Sequence, residues 1–374
     1  MTYRLQFRRY RLPFRAAVNT AHGRWAEREG GLVQLTNASG GVGYGEAAPI
    51  PWFGTETADE VAAACRDLGE VVDDARLDAL PVRLACLRNA LAAARAGIGR
   101  DAAEEATDAS LERRVKDPPS PGSGATSNAP YLPVAALLPA GRAALAQIGP
   151  KAEAGYRVFK WKVGVGDVAD ELGLLDDLCG ALPDGAKLRL DANGAWDRRQ
   201  AERWLERCAD RPVEFIEQPA YAPPKESEAI RRRTDDLLLG LANDFPTPIA
   251  LDESLSGEGA VETWLRAGWR GVFVIKPALL GDVPGTLAAL AKAKAGVVFS
   301  SALETRLGAA AALRAAFAWP GNVDAQGVPQ PRALGFGVWP LFADGRFDGP
   351  YSGPFLQWED VTRIDPEAVW NALT

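Results

Sequence analysis

The sequence predicts an α/β protein in which a parallel (β/α) barrel follows a smaller α+β region. From residue 131 onward, short apolar runs alternate with amphipathic helical stretches, a rhythm typical of a parallel sheet covered by helices. Before residue 116 the chain shows three alternating segments and then two helical stretches. A chain of 374 residues is long enough for two such units.

The first hundred residues predict the α+β region. Alternating apolar and polar side chains indicate an antiparallel meander formed by residues 3–12, 31–36 and 42–48. The polar segment 18–30 between the first two strands is predicted to be a long loop. Two stretches rich in Ala and Leu, 57–72 and 81–98, are predicted to be helices, and Thr57 or Asp59 is a suitable N-cap for the first.

Seven apolar runs predict the strands of the barrel. They are residues 131–139, 158–165, 187–194, 213–219, 249–254, 271–277 and 296–304. An eighth strand is expected near 333–338, and this number favours a closed barrel over an open doubly wound sheet. The segment 222–245 lengthens one repeat and is predicted to be an insertion. No G-x-G-x-x-G motif follows a strand in the required context, so no dinucleotide site is predicted.

Composition narrows the classes of function. A net charge of −7 argues against nucleic acid or an anionic membrane as the main partner. No signal peptide and no apolar run of transmembrane length is visible. The four cysteines form no C-x-x-C pair, which argues against a zinc or redox motif and leaves a reducing cytoplasm as the predicted location.

The strand "RVFKWKVGVG" (157–166) carries two lysines on one face. Lys160 and Lys162 are two residues apart and point to the same side, whereas Phe159 and Trp161 point to the other. Only nine of the 42 basic residues are lysines, so a lysine within an apolar strand is unusual in this chain. A desolvated lysine can give up its proton, which an arginine cannot do in a protein.

Acidic side chains end three neighbouring strands of the predicted barrel. Asp191, Glu217 and Asp252 are therefore expected at the mouth where the C-terminal strand ends converge. Separate ion pairs with arginines would be the simplest reading for one of them, but three acids in register would repel one another without a shared cation. Mg²⁺ prefers such oxygen ligands, so the pattern predicts a magnesium site.

Two lysines flank this predicted site. Lys162 precedes Asp191 around the rim and Lys276 follows Asp252. A partly desolvated lysine beside a divalent cation should have a lowered pKa and could act as a general base. The lysines, and Lys160 above all, could instead only neutralise the acids. A metal with lysine bases suits removal of an α-proton from a carboxylate substrate, with the cation stabilising the enediolate.

The motifs resemble those of the enolase superfamily. "KWK", "DANGAW", "IEQP", "DES" and "IKP" occur in that order and at barrel spacing, and with "SSALET" they resemble the o-succinylbenzoate synthase family. The resemblance implies a modified TIM-type (β/α)7β barrel with an α+β capping domain. Residues 1–115 with 340–374 would form the cap, 116–130 a flexible linker or insertion rich in Pro, Gly and Ser, and 131–339 the catalytic barrel.

The resemblance also implies roles for the rim residues. The ligands of Mg²⁺, or of Mn²⁺ in its place, would be Asp191, Glu217 and Asp252. Lys162 would be the general base and then the general acid, and Lys276 would stabilise the enediolate from its other face. Lys160 would assist Lys162 and contact the substrate carboxylate.

Further residues would support the ligands or line the substrate pocket. Asn193 and Glu253 would hold the metal ligands in place. The pocket would be lined by Ser300, Ser301, Glu304 and Arg24. The usual polar residue of the family near the last strand is replaced by Phe336. His22, the only histidine, lies in the first cap loop and is expected to be a surface or packing residue rather than a catalytic one.

The resemblance implies a carbon–oxygen lyase acting on a small carboxylate. It would convert 2-succinyl-6-hydroxy-2,4-cyclohexadiene-1-carboxylate to 2-succinylbenzoate by syn-dehydration, for menaquinone or phylloquinone synthesis. An N-acylamino acid racemase or a dipeptide epimerase would use the same lysine pair, although the D-x-D pair of the epimerases is missing between 296 and 342. A non-catalytic barrel is a third reading, disfavoured by the complete set of acids and lysines. The sequence predicts no particular oligomeric state.

Overall fold

The computed structural model describes residues 1–20, 23–98, 131–321, 331–350 and 353–373. His22 and the segment 116–130 lie outside the described residues. The strands are β1 (Thr2–Thr20), β2 (Gly23–Asn37), β3 (Val42–Ala47), β4 (Val71–Asp73), β5 (Tyr131–Pro133), β6 (Ala136–Leu138), β7 (Val158–Lys162), β8 (Lys187–Asp191), β9 (Val213–Glu217), β10 (Ile249–Leu251), β11 (Val272–Ile275), β12 (Gly296–Phe299) and β13 (Phe355–Gln357).

The helices cover the barrel and one face of the cap sheet. They are α1 (Ala58–Leu68), α2 (Asp74–Asp78), α3 (Ala85–Gly97), α4 (Leu145–Glu153), α5 (Val168–Ala181), α6 (Arg198–Cys208), α7 (Glu228–Asp244), α8 (Ala260–Arg266), α9 (Val283–Lys292), α10 (Arg306–Ala318), α11 (Trp358–Thr362) and α12 (Pro366–Ala372). No helix within the described ranges combines the length and the apolar character needed to cross a membrane.

The N-terminal sheet has the order β3-β2-β1-β4, and its first three strands form the predicted meander. The prediction of a loop over 18–30 was wrong, because β1 and β2 stay paired as far as Thr20 opposite Gly23. Antiparallel pairing satisfies the backbone while polar side chains face water, so a polar stretch can remain a strand. The register shifts between Pro13 and Val18, where the pairing is interrupted.

The first predicted helix is shorter than its composition suggests. Thr57 is the N-cap of α1, and its hydroxyl accepts the amide of Glu60 while the Glu60 carboxylate accepts the amide of Thr57. Such a capping box fixes the start of a helix. Gly69, with a φ of 75°, ends it, and the following residues pair with β1 as β4 instead of continuing the helix.

Seven parallel strands form the main sheet in the order β12-β11-β10-β9-β8-β7-β6. Single bridges join Val134 to Leu334 and Ser300 to Gly335, so the predicted eighth segment lies between the two edges of the sheet. A Cβ on Gly335 would lie 2.4 Å from Ser300 Oγ, which is why a glycine is needed at this close approach. The α/β fold class predicted from the sequence is confirmed.

The first predicted barrel strand is divided in two. Residues 131–139 form β5 and β6, and β5 pairs antiparallel with β13 in a separate two-stranded sheet. Pro133 has no amide hydrogen to donate, which disfavours an unbroken central strand through this position. The C-terminal segment therefore returns partly to the barrel side of the molecule. Its last helix also meets the cap, since Arg8 Nη1 donates to the carbonyl of Trp370 at 2.6 Å.

Alternation along β7 separates core from rim. Phe159 and Trp161 are fully buried, and the Trp161 ring lies 6.3 Å from that of Trp204 in α6. Lys160 and Lys162 point to the opposite side, as the sequence predicts. The predicted insertion 222–245 contains α7, a helix of 17 residues capped by Ser227.

Candidate active site

The strand register places the candidate acids and lysines beside one another. Lys162 is opposite Asp191, and Asp191 is opposite Glu217 in the next strand. Ala250 is opposite Glu217, so Asp252 follows at the end of the next strand. The side chains of the three acids are buried. The structure thus brings the sequence-predicted acids together at one end of the barrel.

The lysine ammonium groups lie among these carboxylates. Lys160 Nζ is 2.8 Å from Asp191 Oδ2 and 2.7 Å from Glu217 Oε1. Lys276 Nζ donates to Asp252 Oδ1. Lys160 therefore bridges two of the predicted ligands. These contacts agree with the alternative interpretation of Lys160, in which its ammonium neutralises the acids.

Burial and charge act against each other on the ionisation of these groups. Burial raises the pKa of Glu217 to about 8 and that of Glu253 to about 7. Burial also disfavours the charged form of Asp191, but the ammonium groups of Lys160 and Lys162 outweigh it and lower its pKa. Burial thus favours the neutral forms of Glu217 and Glu253, whereas the neighbouring lysines favour the ionised form of Asp191.

The carboxylates reverse the effect of burial on two lysines. Burial alone would lower the pKa of Lys160 and Lys276, but Asp191 acts most strongly on the first and Asp252 on the second, and both pKa values are raised. These pKa shifts apply to the acids and lysines without a bound cation. The lowered pKa expected for a lysine beside a divalent cation stays a prediction for the metal-loaded site.

The donor chemistry of the site fits a hard cation. Three buried carboxylates from neighbouring strands supply oxygen ligands, which is the set that Mg²⁺ prefers. As they stand, no three acidic, histidine or cysteine side chains in the described ranges converge closely enough to hold a metal. The Lys160 and Lys276 ammonium groups now provide the positive charge between the acids, and a divalent cation would replace those contacts.

Asn193 and Glu253 form a pair beside the ligands. The side-chain Nδ2 of Asn193 donates to Glu253 Oε1 at 3.1 Å, and its backbone amide donates to Asp191 Oδ1 at 3.2 Å. Asn193 Oδ1 and Glu253 Oε2 are buried and find no partner within the described part of the chain. Unsatisfied buried oxygens beside three acids are what a bound cation and its waters would complete.

Gln218 is a site residue that the sequence prediction omitted from its candidates. It is fully buried, and its backbone has a φ of 40°. Its Oε1 accepts the amide of Asp252 at 2.8 Å, and its Nε2 donates to Ser254 Oγ at 2.7 Å. Gln218 thereby ties the end of β9 to the residue after β10. The signal was present in "IEQP", where a glutamine directly follows a predicted ligand.

The loop after β12 contains the predicted pocket residues Ser300, Ser301 and Glu304. All three are buried, and Glu304 is completely inaccessible to solvent. Glu304 Oε2 accepts the Ser301 hydroxyl at 3.0 Å and also the amide of Ala302, so this carboxylate binds its own loop. Their contact with substrate stays a prediction.

The cap reaches the barrel rim through residues that the sequence prediction did not select. The Phe53 ring centroid lies 5.1 Å from Lys276 Nζ, and Tyr221 donates to the Phe53 carbonyl at 3.2 Å. Arg28 is buried, and its Nε donates to the carbonyl of Leu303 in the loop after β12. Arg24, the predicted cap contact, is exposed.

Comparison with known proteins decides the family. Residues 143–351 match the family model "Enolase C-terminal domain-like", and residues 2–82 match "MenC, N-terminal domain". The o-succinylbenzoate synthase of Thermosynechococcus vestitus is 38% identical over 342 residues, which are 90% of this chain and 92% of the relative. The chain belongs to the o-succinylbenzoate synthase family of the enolase superfamily. The predicted family is therefore confirmed.

Other relatives agree with this family assignment. The o-succinylbenzoate synthase of Yersinia enterocolitica is 30% identical over 80% of this chain and 82% of its own. A crystal structure of the enzyme from Thermosynechococcus elongatus BP-1, complexed with Mg in the active site, matches with a TM-score of 0.74 and 33% identity over 99% of both chains. These matches support the o-succinylbenzoate synthase prediction over the racemase and epimerase alternatives.

A more distant structural relative shows the fold alone. The L-Ala-D/L-Glu epimerase of Bacillus subtilis has a TM-score of 0.70 but only 19% identity over 95% of both chains. This likeness over most of both chains agrees with the architecture of a TIM-type barrel with an α+β cap, which the family match confirms. It does not extend epimerase activity to the chain described here.

Proposed function

We propose that the protein is a hydro-lyase that forms 2-succinylbenzoate from 2-succinyl-6-hydroxy-2,4-cyclohexadiene-1-carboxylate. Family membership over nine tenths of the chain carries this proposal. The match to the MenC N-terminal domain supports a role in menaquinone synthesis, with phylloquinone synthesis as the alternative. The substrate is a small carboxylate, which suits a rim that carries three lysines.

Mg²⁺ is the proposed cofactor, with Mn²⁺ as a substitute. Asp191, Glu217 and Asp252 would hold it, supported by Asn193 and Glu253. The bound ion supplies positive charge that favours ionisation at the carbon beside the substrate carboxylate. Proton transfer, stabilisation of the enediolate from the opposite face and substrate binding are assigned to side chains of the protein.

Lys162 is the proposed proton carrier. Its neutral amine takes the proton from the ring carbon that bears the carboxylate, and the electron pair of that C–H bond moves into the enediolate. The resulting ammonium returns the proton to the neighbouring hydroxyl group, which leaves as water while the ring becomes aromatic. One residue can perform both steps because the elimination is syn, with both groups on the same face of the ring.

Lys276 is proposed to act from the opposite face. Its ammonium would stabilise the negative charge that develops on the enediolate, an electrostatic role that needs no proton transfer. Phe53 lies against this ammonium and would limit the access of water to it. Lys160, Ser300, Ser301, Glu304 and Arg24 are the proposed substrate-binding residues.

The cytoplasmic location is part of the proposal. The four free cysteines, all within the described ranges, suit a reducing compartment. Three of them, Cys65, Cys86 and Cys208, are buried and unavailable for pairing with other chains.

A direct assay tests the proposed function. The purified protein with Mg²⁺ is incubated with the cyclohexadiene substrate, and the loss of its ultraviolet absorbance is followed. We expect turnover that EDTA abolishes and added Mg²⁺ restores. A folded protein that leaves the substrate unchanged, but exchanges the α-proton of N-acylamino acids or dipeptides with deuterium, would contradict the proposal.

Two lysine variants test the mechanism. Lys162→Ala and Lys276→Ala should each lower kcat at least about a hundredfold, because general-base catalysis contributes roughly 10²–10⁴-fold and electrostatic stabilisation a similar factor. Circular dichroism should show an unchanged fold. Lys187, an exposed lysine at the start of β8, provides the control, and Lys187→Ala should keep the normal rate. A near-normal rate for Lys162→Ala would show that the base is another residue.

A further inference from the structure

Glu171 is a buried carboxylate at the turn that follows Lys162, and the proposed mechanism gives it no task. It lies in α5 and is 4% exposed. Its Oε2 accepts the amide of Gly164 at 2.9 Å, and its Oε1 accepts those of Val165 at 3.2 Å and Gly166 at 3.0 Å. One side chain thus binds three successive backbone amides directly after the end of β7.

The turn held by Glu171 has little room to move. Gly164 has a φ of 74°, and a Cβ at this position would lie 2.8 Å from the Cβ of Ala195 and 3.1 Å from Trp196 Nε1. The turn is therefore pressed against the loop that follows Asp191. Glycine is needed here for both the backbone conformation and the space.

Lys162 is held between two fixed points. Strand pairing sets Lys162 opposite Asp191, and the backbone amide of the next residue, Val163, donates to the Asp191 carbonyl at 2.9 Å. Strand pairing ends there, and the next three amides have Glu171 as their acceptor. The Glu171 side chain therefore restrains this exit from the strand through three hydrogen bonds.

We propose that Glu171 is a positioning residue for Lys162. By fixing the turn at residues 164–166, it fixes the end of β7 and keeps the Lys162 amine aligned with the substrate proton. A misplacement of about 1 Å can cost a factor of about 10² in rate, so a residue that never touches substrate can have a large effect on kcat. This inference rests on the proposed function, since it assumes that Lys162 carries the proton.

The variant Glu171→Gln tests the proposal at nearly constant size. Both carboxylate oxygens of Glu171 accept backbone amides, and glutamine replaces one of these oxygens by an NH2 group, which cannot accept. At least one of the three hydrogen bonds is therefore lost. We expect kcat to fall at least about tenfold while KM changes less than about threefold, because the substrate contacts remain and only the alignment of the base is lost. Glu171→Asp keeps the charge but is shorter, and should recover part of kcat.

The matched control is Asp167→Asn. Asp167 is exposed and caps the same helix, with its Oδ1 accepting the amides of Ala169 and Asp170. This substitution also replaces a carboxylate by an amide within a few residues of Glu171, and asparagine is an equally good N-cap. We expect a normal kcat for Asp167→Asn.

Hydrogen exchange gives a readout that does not depend on turnover. The amides of residues 164–166 should exchange at least about tenfold faster in Glu171→Gln than in the wild type, and at the wild-type rate in Asp167→Asn, since only the first variant opens the turn.

Unchanged exchange would overturn the proposal, as would a folded Glu171→Gln protein with a normal kcat. A change confined to KM would do the same. If Glu171→Gln does not fold, Glu171→Asp replaces it: a smaller fall in kcat together with faster exchange of these amides supports the proposal, and a normal kcat or unchanged exchange overturns it. A wild-type protein without turnover would refute the proposed function while leaving the exchange result to decide whether Glu171 restrains the turn.

Discussion

At the scale of single residues, the sequence predicts the location of some buried carboxylates and not of others. Asp191, Glu217 and Asp252 end strands, so their convergence follows from the parallel sheet alone. Glu171 could not be selected in this way, because its partners are the backbone amides of residues 164–166, and no side-chain pattern in the sequence marks them. A side chain whose task is to bind backbone amides is thus the kind of residue that sequence patterns do not reveal.

Glu304 illustrates a residue whose type was noticed but whose task was not evident. It was predicted to line the substrate pocket, yet its Oε2 binds the loop after β12 and its Oε1 is buried with no partner in the described ranges. Burial raises the pKa of this carboxyl to about 7. Glu304 therefore carries its proton over part of the ordinary pH range.

This raised pKa makes a prediction about stability and pH. A carboxyl with a folded pKa above its unfolded value of about 4.3 stabilises the fold fully below that value, and the contribution is lost as pH rises through about 7. Glu304→Gln should remove this dependence. Its free energy of unfolding relative to the wild type should therefore rise between pH 5 and pH 8, by about 2–3 kcal/mol if the whole shift is expressed.

Urea denaturation at pH 5, 6.5 and 8 measures the effect. The comparison reports on Glu304, because the two proteins differ only at this residue. Glu153→Gln, at an exposed position, should follow the wild-type profile. Parallel profiles for the wild type and Glu304→Gln would mean that Glu304 is ionised in the folded protein.

At the scale of elements, periodicity predicted where strands and helices occur better than where they end. The meander and the alternation of strands and helices in the barrel were predicted, because burial of one face imposes a period on the sequence. The hairpin over 18–30 was missed since two exposed strands that pair with each other need no apolar alternation. The end of α1 at Gly69 and the short β4 were missed for a related reason, because three residues are too few to show a period.

The capping box of α1 makes a prediction at this scale. Thr57→Ala removes the hydroxyl that accepts the Glu60 amide and should lower the free energy of unfolding by about 1 kcal/mol. Thermal denaturation measures the loss, and Thr57→Ser, which keeps the hydroxyl, should restore most of it. Catalytic rate at 25 °C should be unaffected in both variants, because α1 supplies none of the proposed catalytic groups. A Thr57→Ala protein as stable as the wild type would mean that the cap forms without the side chain.

At the scale of the whole molecule, one cap carboxylate binds the start of a barrel helix. Glu46 in β3 is buried and accepts the amides of Thr305 and Gly308, each at 2.9 Å, together with the hydroxyl of Tyr10. The two amides belong to the N-terminus of α10, where a negative charge is favoured by the helix dipole. The cap and the loop after β12 are thus joined by a charged group as well as by apolar packing.

This junction predicts a cooperative loss of stability. Glu46→Gln keeps the size of the side chain but loses the charge and at least one acceptor, so we expect the free energy of unfolding to fall by about 2 kcal/mol. Fluorescence and circular dichroism should report one shared unfolding transition. Two separate transitions in the wild type would show that the cap and the barrel unfold independently, which would contradict the coupling.

The acid cluster leads to the last prediction, which concerns metal binding and stability together. Glu217 has a pKa of about 8 because burial disfavours its charge, so part of the free energy of folding is lost in keeping these acids together. A cation that binds only the folded protein stabilises it by about 2.7 kcal/mol at a concentration of 100 Kd. Mg²⁺ should therefore raise the Tm of the wild type in a concentration-dependent way, and EDTA should reverse the change.

Variants show whether this stabilisation comes from the proposed ligands. Asp191→Asn and Glu217→Gln keep the shape of the site but remove a charged oxygen donor, so each should abolish most of the Mg²⁺-dependent shift in Tm. Each variant also removes one ion-pair partner of Lys160, so its Tm without Mg²⁺ is measured as its own reference. Since the measurement is Tm and not turnover, it separates metal binding from catalysis. An equal shift in Tm for the wild type and both variants would place the Mg²⁺ site elsewhere in the molecule.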